Sequence, residues 1–158
     1  MNIKIIAVGK IKEKYFTAAV DEYSKRMSRF AKFEIIEVPD EKIPDNASEK
    51  EQESVKEKEG NAILSKLKPG DTVIAMCIEG TEMSSEKIAS KIEQISLSSS
   101  SIAFIIGGSL GLHDSVKARA DLRLSFGPVT LPHQLMRVVL CEQIYRAFKI
   151  NHNESYHK

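Results

Sequence analysis

Arg137 is the residue whose chemistry most needs a partner. From Pro132 the chain runs to about Ile150 without a breaker, PHQLMRVVLCEQIYRAFKI. Pro132 suits a first helical position, where its missing N–H costs nothing and its fixed φ already fits. At 100° per residue, Met136, Val138, Leu140, Cys141, Ile144, Ala147 and Phe148 cover most of one side of that helix. Arg137 points into the middle of the arc, with His133 one turn earlier. An unpaired charge there would be very costly, so Arg137 needs a carboxylate, a phosphate or a similar partner. An internal salt bridge or a subunit contact would meet that need as well as a ligand. Glu142 and Arg146 are spaced i, i+4 for mutual support. The rest of the helix is too apolar for a surface element, which predicts burial in the core or against another copy of the chain.

A second place for chemistry is Ile105–His113, IIGGSLGLH, a strand opening into a glycine-rich turn before a helix. Glycines there let backbone N–H groups approach a ligand closely. The order GGxxG is not the dinucleotide fingerprint, and no Lys–Ser/Thr pair follows, so a Rossmann cofactor site or an NTPase is disfavoured. On spacing alone, a tight structural turn explains the glycines equally well. A third is the loop Ser125–Leu131, SFGPVTL, which with Pro132 holds one Gly and two Pro and leads into the long helix. The junction of loop and helix is the expected position of the site.

These pieces need elements to position them. Asn2–Val8 reads as a strand, Lys12–Arg29 as an amphipathic helix, and Phe33–Val38 as a second strand. Pro39–Ala47 is a loop. Ser48 with Glu51 forms a capping box for a highly charged helix running to Leu67, in which only Val55, Ala62, Ile63 and Leu67 need burial; loop and helix read as a spacer. Thr72–Ile78 is a continuous apolar strand expected to stop at Glu79–Gly80. Ser84 or Ser85 caps a helix through Ile95. Ile102–Ile106 is another apolar strand, followed by a short helix near Asp114–Ala120 and a strand near Leu122–Phe126. Strands alternating with helices predict an α/β fold, a mostly parallel sheet sandwiched by helices, as a single domain over 1–158. Ligands of such sheets gather at the carboxyl ends of strands. Those ends are Met76–Gly80, Gly107–Gly111 and Phe126–Leu131, which share a crevice if their strands are neighbours.

The totals narrow the function. With 158 residues, 42% of them hydrophobic, the chain supports one real core. No apolar run approaches a membrane span, and the start of the chain does not read as a signal peptide. Cys77 and Cys141 lack CxxC spacing and read as buried free thiols of a reducing cytosol, neither a disulfide framework nor a metal site. The net charge of +1 does not by itself point to nucleic acid. Its distribution is uneven: residues 1–100 hold 16 Lys and Arg against 18 Asp and Glu, residues 101–158 hold 7 against 4, and all four histidines lie in the second part. That bias is compatible with a phosphate-bearing partner.

The strings IIGGSLGLH, LSFGPVTLPHQLMRVVLCEQIYRA and the terminal YHK, with AVGKIKEKY near the start, closely resemble the bacterial RlmH family. These SPOUT-class methyltransferases methylate N3 of a pseudouridine in large-subunit ribosomal RNA, in the helix 69 region of 23S rRNA on the assembled ribosome. The likeness runs from Met1 to Lys158. It implies an α/β fold with a C-terminal trefoil knot, a cytoplasmic homodimer, no membrane and no metal, and S-adenosyl-L-methionine bound in the knot loops. Carried over residue by residue, it places Met76, Gly107, Gly108, Phe126, Gly127, Pro128, Val129, Thr130 and Leu131 at the cofactor. Met76 stands where leucine is common and keeps an apolar contact.

The same resemblance turns the tail, otherwise a frayed end, into a segment that reaches the partner's active site. Tyr156 and His157 then bind the target nucleotide, Glu142, Arg146 and Lys158 bind RNA, and Glu142 and Arg146 with Arg137 alternatively brace the dimer. Lys158 keeps the charge of the Arg in some relatives without its bidentate fork. N3 of the uracil ring is a weakly acidic imide, and on that ground Arg137 is expected to supply an electrostatic field while His133 or His157 takes the proton. Rival readings are the same fold acting on another RNA such as a tRNA, a non-catalytic ribosome-binding module, and an α/β nucleotide-binding protein unrelated to RNA.

Overall fold

The inner strands are mostly apolar because both faces of the sheet are covered there, whereas the edge strands carry exposed charges such as Glu34 and Arg123. In β1 (Asn2–Val8), Ile3, Ile5 and Ala7 point to one face while Ile6 and Val8 point to the other, and all five are at most 1% exposed. β4 (Ser101–Ile106) repeats the pattern, with Ile102, Phe104 and Ile106 on the first face and Ala103 and Ile105 on the second. A half-exposed strand would alternate with polar residues instead. The structure is a computed structural model that describes residues 1–156.

The remaining elements are α1 (Lys14–Met27), β2 (Lys32–Val38), α2 (Glu49–Leu64), β3 (Thr72–Glu82), α3 (Ser85–Ser96), α4 (Asp114–Arg119), β5 (Leu122–Ser125) and α5 (His133–Asn151). All strand pairs are parallel, in the order β2-β1-β4-β3-β5. Helices α1, α3 and α5 cover the first face through Val20, Met27, Ile88, Ile92, Leu140, Ile144 and Phe148. Helices α2 and α4 cover the second through Ile63 and Val116. The expected sandwich is therefore present, with β4, β3 and β5 as neighbours, so their carboxyl ends lie side by side.

The caps follow the sequence. Ser48 Oγ accepts from Glu51 N while Glu51 Oε1 accepts from Ser48 N, completing the capping box. Ser84, rather than Ser85, caps α3 by accepting from Lys87 N. Pro132 is the residue before α5, with ψ of 137°, and not its first helical residue. Its extended backbone is set by the loop arriving from β5, so the helix begins one residue later at His133.

β3 departs furthest from expectation. It does not stop at Glu79–Gly80 but continues to Glu82, and Met76 and Thr81 both pair with Leu124 of β5. The intervening Cys77–Gly80 bulge out between the two pairings. Glycine permits this: a Cβ at position 80 would lie 2.7 Å from Arg123 O. The bulge is fixed by Ser125 Oγ donating to Ile78 O at 2.8 Å. At the opposite end of the sheet, Lys4 and Asp71 form a buried ion pair of 2.7 Å.

Candidate functional site

The neighbouring carboxyl ends of β3, β4 and β5 open into one cleft of about 770 Å³. β3 contributes Met76, and the bulge that follows it within the strand contributes Ile78. The glycine turn after β4 contributes Gly107 and Gly108, and the loop after β5 contributes Phe126, Gly127, Val129, Thr130 and Leu131. The first turn of α5 closes one end with His133 and Met136. Of the residues expected at the cofactor, all but Pro128 line this cleft.

Two large apolar side chains on its walls are uncovered, Ile78 at 54% and Val129 at 70% exposure. Gly127 has φ of +104°, a conformation that lets the loop fold back over the strand ends and that side chains rarely adopt. Its N–H is held by Ser125 Oγ at 3.1 Å. A cleft of this size, mostly apolar, with backbone polar groups from glycine turns, suits a drug-sized ligand with a flat apolar part.

Sequence reasoning missed the charged rim. Lys117 of α4 pairs with Glu79 of the bulge at 2.5 Å, and both line the cleft. The Lys117 ammonium holds the Glu79 carboxyl below its usual range, and Glu79 in turn raises Lys117. Lys56 of α2, paired with Glu53 at 3.2 Å, also lines the cleft. Glu53 further accepts from His113 Nε2 at 3.1 Å, since Nδ1 of that ring accepts from Ser115 N as the cap of α4. The α2 segment is thus more than a spacer: Glu59 on it, 5% exposed, accepts from Glu41 N at 3.0 Å and sits against Gly108 of the glycine turn. A periodicity search gives no hint of this, because an acidic residue in a run of acidic residues reads as solvated.

Arg137 is 1% exposed and does not line the cleft. Its Nη1 donates to Glu37 Oε2 at 2.8 Å and its Nη2 to Gly9 O at 3.1 Å. Of the readings left open by the helical wheel, the internal salt bridge is the one present in the chain. Among the described residues its buried Nε has no partner.

Glu142, Arg146 and Tyr156 lie together, away from the cleft. Arg146 Nη2 donates to Glu142 Oε1 at 2.6 Å, Tyr156 Oη donates to the same oxygen at 3.1 Å, and the guanidinium lies 4.8 Å from the centre of the Tyr156 ring. Burial, with hydrogen bonds to Tyr23 and Glu142, pushes the Tyr156 phenol well up. Glu142 follows His133 by nine residues, about 14 Å along the helix and half a revolution around it. The two therefore face opposite ways in one chain. His157 and Lys158 lie outside the described residues. Cys77 and Cys141 are both buried free thiols, and burial pushes Cys141 up to about 12. Among the described residues no cluster of His, Cys, Asp or Glu is gathered to hold a metal ion, and no helix is long and apolar enough to cross a membrane.

Fold and site together define a parallel α/β protein with a ligand cleft built from the loops after its last three strands and closed by a C-terminal helix. Residues 1–157 match the model of a family described as "Predicted SPOUT methyltransferase". The chain is 59% identical to ribosomal RNA large subunit methyltransferase H 1 of Clostridium perfringens (strain SM101 / Type A), covering 100% of both chains. It is 58% identical to ribosomal RNA large subunit methyltransferase H of Lactiplantibacillus plantarum and 55% identical to that of Clostridioides difficile, again over the full length of both. A solved structure, a probable methylase family protein from Haemophilus influenzae Rd KW20, shares the fold with a TM-score of 0.57 at 15% identity, covering 99% of this chain and 70% of that one. The chain belongs to the SPOUT methyltransferase family, within its RlmH group.

Proposed function

We propose that this chain methylates N3 of a pseudouridine in the helix 69 region of 23S rRNA on the assembled ribosome, as a single-domain cytoplasmic homodimer. The observation that carries the reading is the cleft at the ends of β3, β4 and β5. Its uncovered apolar walls, Ile78 and Val129, need a ligand with an apolar face, and the relatives' names supply the reaction. S-adenosylmethionine fits: Met76, Ile78, Phe126, Val129 and Leu131 would hold its adenosine, and the Gly107–Gly108 turn offers backbone groups close by. When bound, it supplies an electrophilic methyl group. The trefoil knot implied by the resemblance involves these same loops.

The chain's own work is to align the acceptor, exclude water and manage one proton. With the cofactor bound, the loop 126–131 would cover the strand ends and keep water from the reacting atoms. N3 of the uracil ring is a weakly acidic imide, and its proton must leave as the new bond forms. His133 lines the cleft and takes that proton. His157 of the tail is the alternative acceptor. The Glu142–Arg146–Tyr156 cluster faces away from its own cleft, so in this reading it serves the cleft of a second copy.

Support for that copy comes from α5. Leu135 and Val139, half-buried, belong to neither core cluster and lie on the same side of the helix as Glu142 and Arg146. The low net charge of +1 argues against tight binding of free RNA through phosphates alone, and favours a preassembled substrate with shape.

The test is methyl transfer from labelled S-adenosylmethionine to ribosomes lacking the modification, with free large-subunit RNA and tRNA alongside. Label at a pseudouridine on ribosomes, with little on free RNA, is the expected result. Label on tRNA alone would move the activity to another RNA, and no label on any substrate despite cofactor binding would overturn it. In the same assay His133→Gln should slow transfer about a hundredfold or more. Turnover unchanged by that substitution would remove His133 from the proton's path.

A further inference from the structure

The motif AVGKIKEKY contributes nothing to the cleft described above, yet the structure invests a buried arginine in holding it. The loop between β1 and α1, residues 9–13, leaves the carboxyl end of β1, beside the glycine turn that follows β4. Its backbone is tied at three points to the site helix and its neighbour. Gly9 O accepts from Arg137 Nη2 at 3.1 Å, Ile11 N donates to Glu37 Oε2 at 3.2 Å, and Lys12 N donates to Gln134 Oε1 at 3.0 Å. Glu37 Oε2 also accepts from Arg137 at 2.8 Å, so one carboxylate oxygen joins loop and helix. The loop starts at the cleft: a Cβ on Gly9 would lie 3.9 Å from His133 Nε2, and His133 lines the cleft.

A loop held this firmly presents what it carries, and it carries cations. Lys10, Lys12 and Lys14 are all exposed, and among the described residues none makes an ion pair. The contrast with the other basic groups around the cleft is direct. Lys56, Lys117 and Arg137 are each paired with a carboxylate. The anions facing the loop are Glu13 within it, Asp40, whose Cγ lies 3.8 Å from the Gly9 Cβ position, and Glu37, whose charge Arg137 answers; three lysines outnumber the two left over. Lys14 opens α1, a 14-residue helix with no acidic residue in its first turn, so the helix's positive end adds to the same field.

We infer that Lys10, Lys12 and Lys14 form a phosphate-binding surface that receives the RNA backbone flanking the target nucleotide, and that Arg137 is its positioning residue. This rests on the RNA methyltransferase reading above. RNA backbone is the occupant favoured because unpaired ammonium groups on a rigid, exposed loop match a line of phosphates and carry no means of reading a base. The role assigned to Arg137 is different from direct electrostatic help to the reaction: it acts through Gly9 and Glu37 to set where the lysines stand.

The experiment is steady-state methyl transfer to ribosomes lacking the modification, across a range of salt, for wild type and for Lys10→Ala/Lys12→Ala. The double variant should raise KM for ribosomes roughly tenfold or more at 0.1 M salt, and reduce the log–log salt slope of kcat/KM by about 2. Cofactor affinity, measured by calorimetric titration, should hold. Lys10→Arg/Lys12→Arg should restore both quantities. Lys66→Ala/Lys87→Ala, removing the same charge elsewhere, should change neither. Gln134→Ala, which frees the loop while keeping its charge, should raise KM without changing the slope. An unchanged KM and slope in Lys10→Ala/Lys12→Ala, with wild type active, would overturn the surface alone. A wild type that labels no RNA would overturn the underlying function and the surface with it.

Discussion

Two buried charged residues show how much a side chain's surroundings outweigh its type. Arg137 sits at 1% exposure in an apolar arc and is tolerated because Glu37 and Gly9 O answer two of its nitrogens. Glu59 is less well answered. Burial raises its carboxyl above the ordinary 4.5; the hydrogen bond from Glu41 N lowers it, and the nearby Asp40 and Glu41 raise it further. A carboxyl raised on folding stabilises most when protonated, below its unfolded value, and that contribution is lost as pH rises through the folded value. Glu59→Gln keeps an acceptor for Glu41 N and removes the charge. The variant should match wild type in stability below about pH 4, then become more stable as pH rises through the carboxyl's range. By pH 7 the gain should be roughly 1 kcal/mol, the lower end of what a poorly compensated buried polar group costs. Urea unfolding at pH 4 and pH 7 measures both, and a variant less stable than wild type at pH 7 would mean the carboxylate is better solvated than its burial implies.

At the scale of elements, the cleft depends on β3 not ending where its apolar run ends. The bulge Cys77–Gly80 carries Ile78 and Glu79 outward, and Gly80 lets the strand re-pair with β5 against Arg123. Gly80→Ala would place a Cβ 2.7 Å from a backbone oxygen, so one strand must move. Overpacking of this kind costs about 1–3 kcal/mol. Because the bulge is a cleft wall, affinity for S-adenosylmethionine should fall roughly tenfold as well, about 1.4 kcal/mol. Denaturant unfolding with calorimetric titration checks both, and lost stability with full affinity would separate bulge from binding. This bulge also marks where the sequence stops being legible. The strands, the Ser48 capping box and the three loop-bearing strand ends follow from apolar runs and short-range spacing, so they could be read directly, whereas the strand order that sets those ends side by side could not. The re-pairing of Thr81 follows from two backbones meeting across the sheet. The backing of Gly108 by Glu59 joins residues about fifty positions apart, and no periodicity encodes either contact.

For the whole molecule, the decisive geometry is on α5, where helix rotation sets two halves of the expected site back to back. His133 and Met136 face the cleft, whereas Glu142 and Arg146, with Tyr156 against them, face the other way beyond Leu135 and Val139. No change of rotamer turns a residue half a revolution round a helix, so only a second chain can bring the two halves together. A two-fold dimer through α5 would bury the apolar pair and, by symmetry, offer each cleft the other chain's cluster. Sedimentation should then give about twice the 17.7 kDa of one chain. Leu135→Glu/Val139→Glu should give a folded monomer without methyl transfer, its far-UV spectrum unchanged. Complementation tests the sharing of sites. His133→Ala and Tyr156→Ala chains, each inactive alone, form mixed dimers in which one cleft keeps His133 and receives an intact Tyr156. Co-expressed in equal amounts, they should recover about a quarter of wild-type activity, since half the dimers are mixed and each has one complete site of two. Recovery would place Tyr156 across the interface. A dimer with no recovery would confine each site to one chain, and a wild-type monomer with full activity would remove the need for a partner.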